Sequence, residues 1–193
     1  MNDTNIIWIV VALAVIAIAI GVSMAFARRA RQRTATLRER FGPEYERAVQ
    51  QHGGRAGERE LEARARRVEH FHFRELSDAE RSRFSSLWTA IQAQFVDDPR
   101  AAVAGANELI KEVMRASGYS ADDGFEQRAA DLSVDHPDVV QHYRAARALS
   151  QEGTRQGMNT EDLRQAVVHY RVLFADLLQP VRTAPQMLRP AHA

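Results

Sequence analysis

Residues Ile6 to Ala27, IIWIVVALAVIAIAIGVSMAFA, contain no charged side chain. A helix over this stretch would reach about 33 Å, the thickness of a bilayer's hydrocarbon core. Its Ile, Val, Leu and Phe residues favour membrane entry by roughly 4 to 7 kcal/mol in sum, more than the costs of Gly21 and Ser23. The flank before the run, MNDTN, has one aspartate and no basic residue, whereas the flank after it carries Arg28, Arg29, Arg31 and Arg33. A cleaved secretory signal has the reverse layout, with basic residues ahead of a shorter apolar stretch, so residues 1–27 are expected to remain as a transmembrane anchor.

The same asymmetry predicts topology, because arginine and lysine are retained on the cytoplasmic side. The expected localisation is the inner (plasma) membrane, single-pass, with the N-terminus outside and the C-terminal domain cytoplasmic. The four arginines also suit anionic headgroups of the lipid bilayer, at about 1 kcal/mol each, a small addition to a spanning helix. Ala17, Gly21 and Ala25 recur every fourth residue, the small-xxx-small spacing that lets two spanning helices approach closely.

Beyond the anchor the chain is polar and evenly charged, with 26 basic and 25 acidic residues overall and no long run of either sign. Nucleic-acid binding thus has no electrostatic footprint. Lys111 is the sole lysine, so any lysine-centred chemistry must use it, and the absence of cysteine excludes disulfides, thiolate catalysis and zinc–thiolate sites. Phosphate loops, HExxH, GxSxG and EF-hand patterns are all missing. No cofactor is expected.

Residues 28–76 read as a charged juxtamembrane helical stalk. Leu37, Phe41, Tyr45 and Val49 keep four-residue spacing, Pro43 suits the first turn of a new helix, and HGGRAG at 52–57 reads as a hinge. Glu58 to Leu76 then predicts a charged helix with a narrow stripe of Leu61, Ala65, Val68 and His72 or Leu76, suited to a stalk-like pair or to lying on the main core.

Residues 77–179 predict the bundle. Ser77 and Glu80 form a capping box ahead of Phe84, Leu87, Trp88, Ile91 and Phe95. Asp98 and Pro99 start a helix burying Val103, Ala106, Leu109, Ile110, Val113 and Met114, which Gly118 ends. A shorter helix covers Asp123 to Leu132, another runs from SVDHPDVVQHYR to about Glu152, and GTRQGMN is a loop. Thr160 caps the last helix, with Leu163, Val167, Tyr170, Phe174 and Leu177 inward. Prolines 180, 185 and 190 make residues 180–193 a flexible tail. No segment shows two-residue alternation, so the fold class is all-α: a transmembrane helix, a charged stalk, then four or five bundled helices.

The chemistry-bearing cluster is SVDHPDVVQHYR, Ser133 to Arg144. His136 and His142 would stand about 120° apart on one helix and could not chelate one ion, whereas Asp138 and His142 would share a face. With His169 these residues are the candidate metal or proton-transfer set: His136, Asp138, His142 and His169. The competing reading is a helix start, with Pro137 in the first turn and Asp135 or His136 as cap. HYR occurs at 142–144 and again at 169–171, which is expected by chance; its tyrosines should pack inward and its arginines stay wet. Asp97–Asp98 and Asp122–Asp123 read as helix starts.

The segments FVDDPRAAVAGANELIKEVM, RASGY, FEQRAADLSVDHPDVVQHYRAARAL and LRQAVVHYRVLFADLL resemble an uncharacterised family of bacterial membrane-anchored helical proteins with one N-terminal span. The resemblance runs from the juxtamembrane arginines to the last helix. It implies an anchor followed by helices, and no catalytic residue. The expectation for function is a non-enzymatic protein-interaction or scaffold module at the inner face of the membrane, binding an unknown protein partner or forming a homo-oligomer. The alternative is a small metal-dependent hydrolase or sensor.

Overall fold

The computed structural model describes residues 3–156 and 159–179, without the side chains of 3–12, 14, 15 and 152–156. It is helical throughout, with no strand among the described residues. In chain order the helices are α1 (Asp3–Phe41), α2 (Pro43–His52), α3 (Gly54–Val68), α4 (Asp78–Asp97), α5 (Pro99–Ser117), α6 (Phe125–Asp135), α7 (Val140–Gln156) and α8 (Thr160–Leu177). The chain divides into two compact units, Met1–Arg40 and Phe41–Ala193.

The first unit is nearly all of α1. Ala17, Gly21, Ala25, Arg28, Arg29, Arg31 and Arg33 are exposed along it. Among the described residues no helix is long and apolar enough to cross a membrane. Within the expected span the backbone is helical, but the side chains of residues 6–12, 14 and 15 are not described.

In the second unit, α2 and α3 form a helical hairpin that turns at Gly53, φ 82°. Only this one residue of the expected 52–57 hinge is non-helical; Gly54 to Gly57 belong to α3. The hairpin closes tightly, because a Cβ at Gly57 would meet the Ala48 carbonyl oxygen at 2.7 Å. Phe41, Tyr45, Ala48, Leu61, Ala65 and Val68 are buried, and α3 packs against α6. From Phe41 onward the expected stalk is therefore part of the same compact unit as the bundle.

The helix expected to reach Leu76 ends at Val68. The reason lies in FHF. On a helix Phe71 and Phe73 would point about 200° apart, whereas in extended chain residues two apart share a side. Both rings contact Tyr119, at centroid distances of 6.3 and 4.7 Å, while His70 and His72 face outward. This segment crosses the end of α5 so closely that a Cβ on Gly118 would meet the His72 carbonyl oxygen at 2.3 Å, and Gly118 adopts φ 97°. Glycine alone meets both demands.

The main core is built by α4 to α8. Ser77 and Glu80 form the capping box reciprocally, and Asp98 accepts from the Ala101 amide. Val103, Ala106, Leu109, Ile110, Val113 and Met114 are all buried, packed with Trp88, Leu132, Tyr143, Ala166, Tyr170 and Leu173. Trp88 stacks on Phe174 at 4.9 Å, joining α4 to α8. Leu87, expected on the inner face of α4, is 40% exposed. At the start of α8 the cap is Asn159, whose Oδ1 accepts from the Glu161 amide at 2.5 Å, rather than Thr160. Helix α7 continues to Gln156, through the first part of the expected GTRQGMN loop. The tail, 180–193, lies outside the described residues.

Candidate functional site

The stretch SVDHPDVVQHYR ends one helix and begins another. Ser133 to Asp135 close α6, and His136 is its C-cap, with φ −128°. Pro137 offers no amide to continue the ladder and keeps His136 out of the α region, so α6 stops there. After the turn at 137–139, α7 begins at Val140, whose amide donates to the His136 carbonyl at 3.1 Å. Asp138 is thus in the turn, not one helical turn below His142, and its side chain is exposed.

The four candidate residues separate into different surroundings. Buried His136 faces Asp176 of α8, with Nδ1 2.5 Å from Oδ2. His142 and His169 meet across the α7–α8 hairpin, Nδ1 to Nδ1 at 2.8 Å, with ring centroids 5.1 Å apart. One ring must carry the bridging proton and the other accept it. Burial, and then the neighbouring His142, push the pKa of His169 below its usual value. Among the described residues no three His, Cys, Asp or Glu side chains converge as a metal site. The geometry brings two of the four candidates together, leaves Asp138 apart and gives His136 a partner of its own.

The twin HYR triplets face one another in the same hairpin. Tyr143 and Tyr170 are buried, with ring centroids 6.4 Å apart. Tyr170 donates to Asn107 Oδ1 at 3.3 Å, and burial raises its pKa to about 12. The arginines diverge. Arg171 is exposed, whereas Arg144, expected to stay wet, is largely enclosed. Its Nε and Nη2 each lie 3.2 Å from the carboxylate of buried Glu44, and its Nη1 lies 2.7 Å from Glu126.

Of the paired acids, Asp98, Asp122 and Asp123 engage the fold, whereas Asp97, read as part of a helix start, is the last residue of α4. Asp123 takes Arg67 and Ser120 at 2.6 Å each, Asp122 takes Arg115, and Asp98 caps α5. Asp131, fully buried on α6, accepts from Gln127 at 2.8 Å and from Arg67. Burial raises its pKa against these two partners. Tyr119 donates to Asp135, and burial followed by that carboxylate raises its pKa strongly.

Two open grooves stand out among the described residues. One, of about 420 Å³, has Trp88, Phe174 and Leu178 on its floor and Gln92, Arg171 and Gln179 at its rim. Ala175 also lines it, and Val168 and Val172, both exposed, continue that face of α8. The other, of about 550 Å³, lies among α2, the start of α6, and α7, with Arg47, Arg144 and Arg147 in its lining. No sequence signal marked either groove, because Arg47 stands about 100 positions from its neighbours and Trp88 reads as ordinary core. No family model, curated protein or solved structure matches this chain.

Proposed function

We propose that the chain is a membrane-anchored helical interaction module, held by residues 6–27 with its C-terminal domain on the cytoplasmic side, and that it binds a protein partner rather than carrying out catalysis. The observation that carries this reading is the α4–α8 groove. An apolar floor under a polar rim, extended by the exposed Val168 and Val172, suits an amphipathic helix laid into it. Arg171 at the rim favours an acidic residue on that helix. Ala17, Gly21 and Ala25, exposed on α1, offer a separate seam for pairing of two anchors. The alternative of a metal-dependent hydrolase or sensor rests on the His142–His169 contact alone, two nitrogens where such chemistry needs at least three ligands.

Crosslinking the full chain in intact membranes is expected to capture a discrete partner band. Arg171→Glu or Val172→Arg should reduce that band at least about fivefold, the scale of a central interface contact. Recovery of monomer alone at every crosslinker length would overturn the reading. A reporter active only outside the cytoplasm, fused at the C-terminus, should give no signal; a signal would reverse the topology.

A further inference from the structure

The second groove carries an inference independent of the protein-partner reading. Three guanidinium groups from two helices line it: Arg47 of α2, and Arg144 and Arg147 of α7. Their charges are unequally answered. Arg144 is shared between Glu44 and Glu126. Among the described residues Arg147 meets only neutral groups: with the Gln151 amide turned to accept, its Nε and Nη2 each lie 3.2 Å from that side-chain oxygen, and its guanidinium lies over the Phe125 ring, 5.6 Å from the centroid. Arg47, half-exposed, makes no hydrogen bond or ion pair among the described residues. Two cationic side chains therefore line one groove without a carboxylate partner among the described residues, a repulsive arrangement that an anion would relieve.

We propose that this groove binds a phosphomonoester dianion. Two unanswered guanidinium forks match two negative charges and the planar, bidentate recognition that phosphate oxygens favour. A single carboxylate would neutralise only one of them. A polyanion such as nucleic acid would need a basic track around the groove, and the chain's near-balanced charge supplies none. The groove wall at Phe125, Glu126 and Gln127 adds backbone donors, since α6 begins at Gly124 without a side-chain cap. The site stands on the arginines; the amides add to it.

The two acids play different parts. Glu44 has 2% side-chain exposure and stays with Arg144 and Arg64. Glu126 has 75% exposure and sits on the groove wall, so it acts as a counter-ion that an incoming phosphate displaces from Arg144. Removing its charge should strengthen binding.

The test uses the full chain in phosphatidylcholine nanodiscs, titrated with inorganic phosphate while backbone amide resonances are followed. Phosphate should shift the amides of Phe125, Glu126 and Gln127. Arg47→Gln and Arg147→Gln should each weaken binding about five- to tenfold, Glu126→Gln should tighten it, and Arg100→Gln, which alters net charge at an exposed position on α5, should leave it unchanged. Unchanged resonances outside the groove check that each variant is folded. Nanodiscs containing phosphatidic acid, without free phosphate, distinguish the source: shifts at the same amides assign a lipid headgroup, and their absence assigns a soluble ester. No shift of these amides with inorganic phosphate, or equal weakening by Arg100→Gln, would overturn the proposal. Either result would leave the partner-binding reading of the α4–α8 groove untouched.

Discussion

His169 illustrates how much a single residue depends on a helix that sequence does not position. Its pKa lies below the ordinary 6.5 because burial and His142 both disfavour the imidazolium. A lowered folded pKa means the native state binds fewer protons than the unfolded chain as pH falls through this range. Its contribution to stability is therefore complete above about pH 6.5 and is lost as pH falls through the folded value. His169→Gln should flatten this acid limb in urea unfolding measured across pH, while changing stability at neutral pH by less than about 1 kcal/mol. An unaltered limb would mean that the histidine contact does not drive it. The sequence offered both histidines as candidates, yet nothing local to either of them encodes the rotation of α7 against α8 that brings them to 2.8 Å. For Asp138 the outcome is the opposite: a four-residue spacing predicts a shared face only if the helix has already begun, and Pro137 delays it to Val140.

At the scale of elements, glycines distinguish close packing from spare room. Gly57→Ala pushes a methyl group into the Ala48 carbonyl and should destabilise the protein by about 1 to 3 kcal/mol. Gly105→Ala, in the interior of α5, meets only Ile91 at ordinary contact distance and should stabilise it by about 0.5 to 1 kcal/mol. Thermal unfolding of the two variants checks both signs. Helix starts were well marked in the sequence where a side chain could answer free amides, as at Ser77, Glu80 and Asp98. The end of α3 was not, because its cause is Tyr119, some fifty residues away along the chain, with which Phe71 and Phe73 pack. Local pattern predicts where a helix can form; distant aromatic burial decided where this one stops.

Across the whole second unit, charge performs some of the joining that apolar contact performs in the bundle. Glu44 is buried on α2 and answered by Arg144, one hundred positions later on α7. Arg144→Met should cost about 3 kcal/mol by depriving a buried carboxylate of its main partner, and adding Glu44→Met should restore much of the loss. Denaturant unfolding of the single and double variants measures the difference; equal losses in both would assign the effect to packing instead. The all-helical class and the bundle core were legible in the sequence because apolar periodicity is local. The incorporation of α2 was not, and that of α3 was only one of two readings its narrow stripe left open, since their surfaces read as charged and the partners that answer those charges, Arg144 and Asp131, lie in helices read separately.

The facing HYR triplets have one further consequence. Because the histidine and the tyrosine of each triplet meet their own copies across the α7–α8 seam, the hairpin behaves like a vernier scale: histidine aligns with histidine and tyrosine with tyrosine in one setting. Sliding either helix by a turn would break both coincidences together. The imidazole resonances would thus report the alignment of two entire helices, making a pair of side chains into a gauge of the α7–α8 seam.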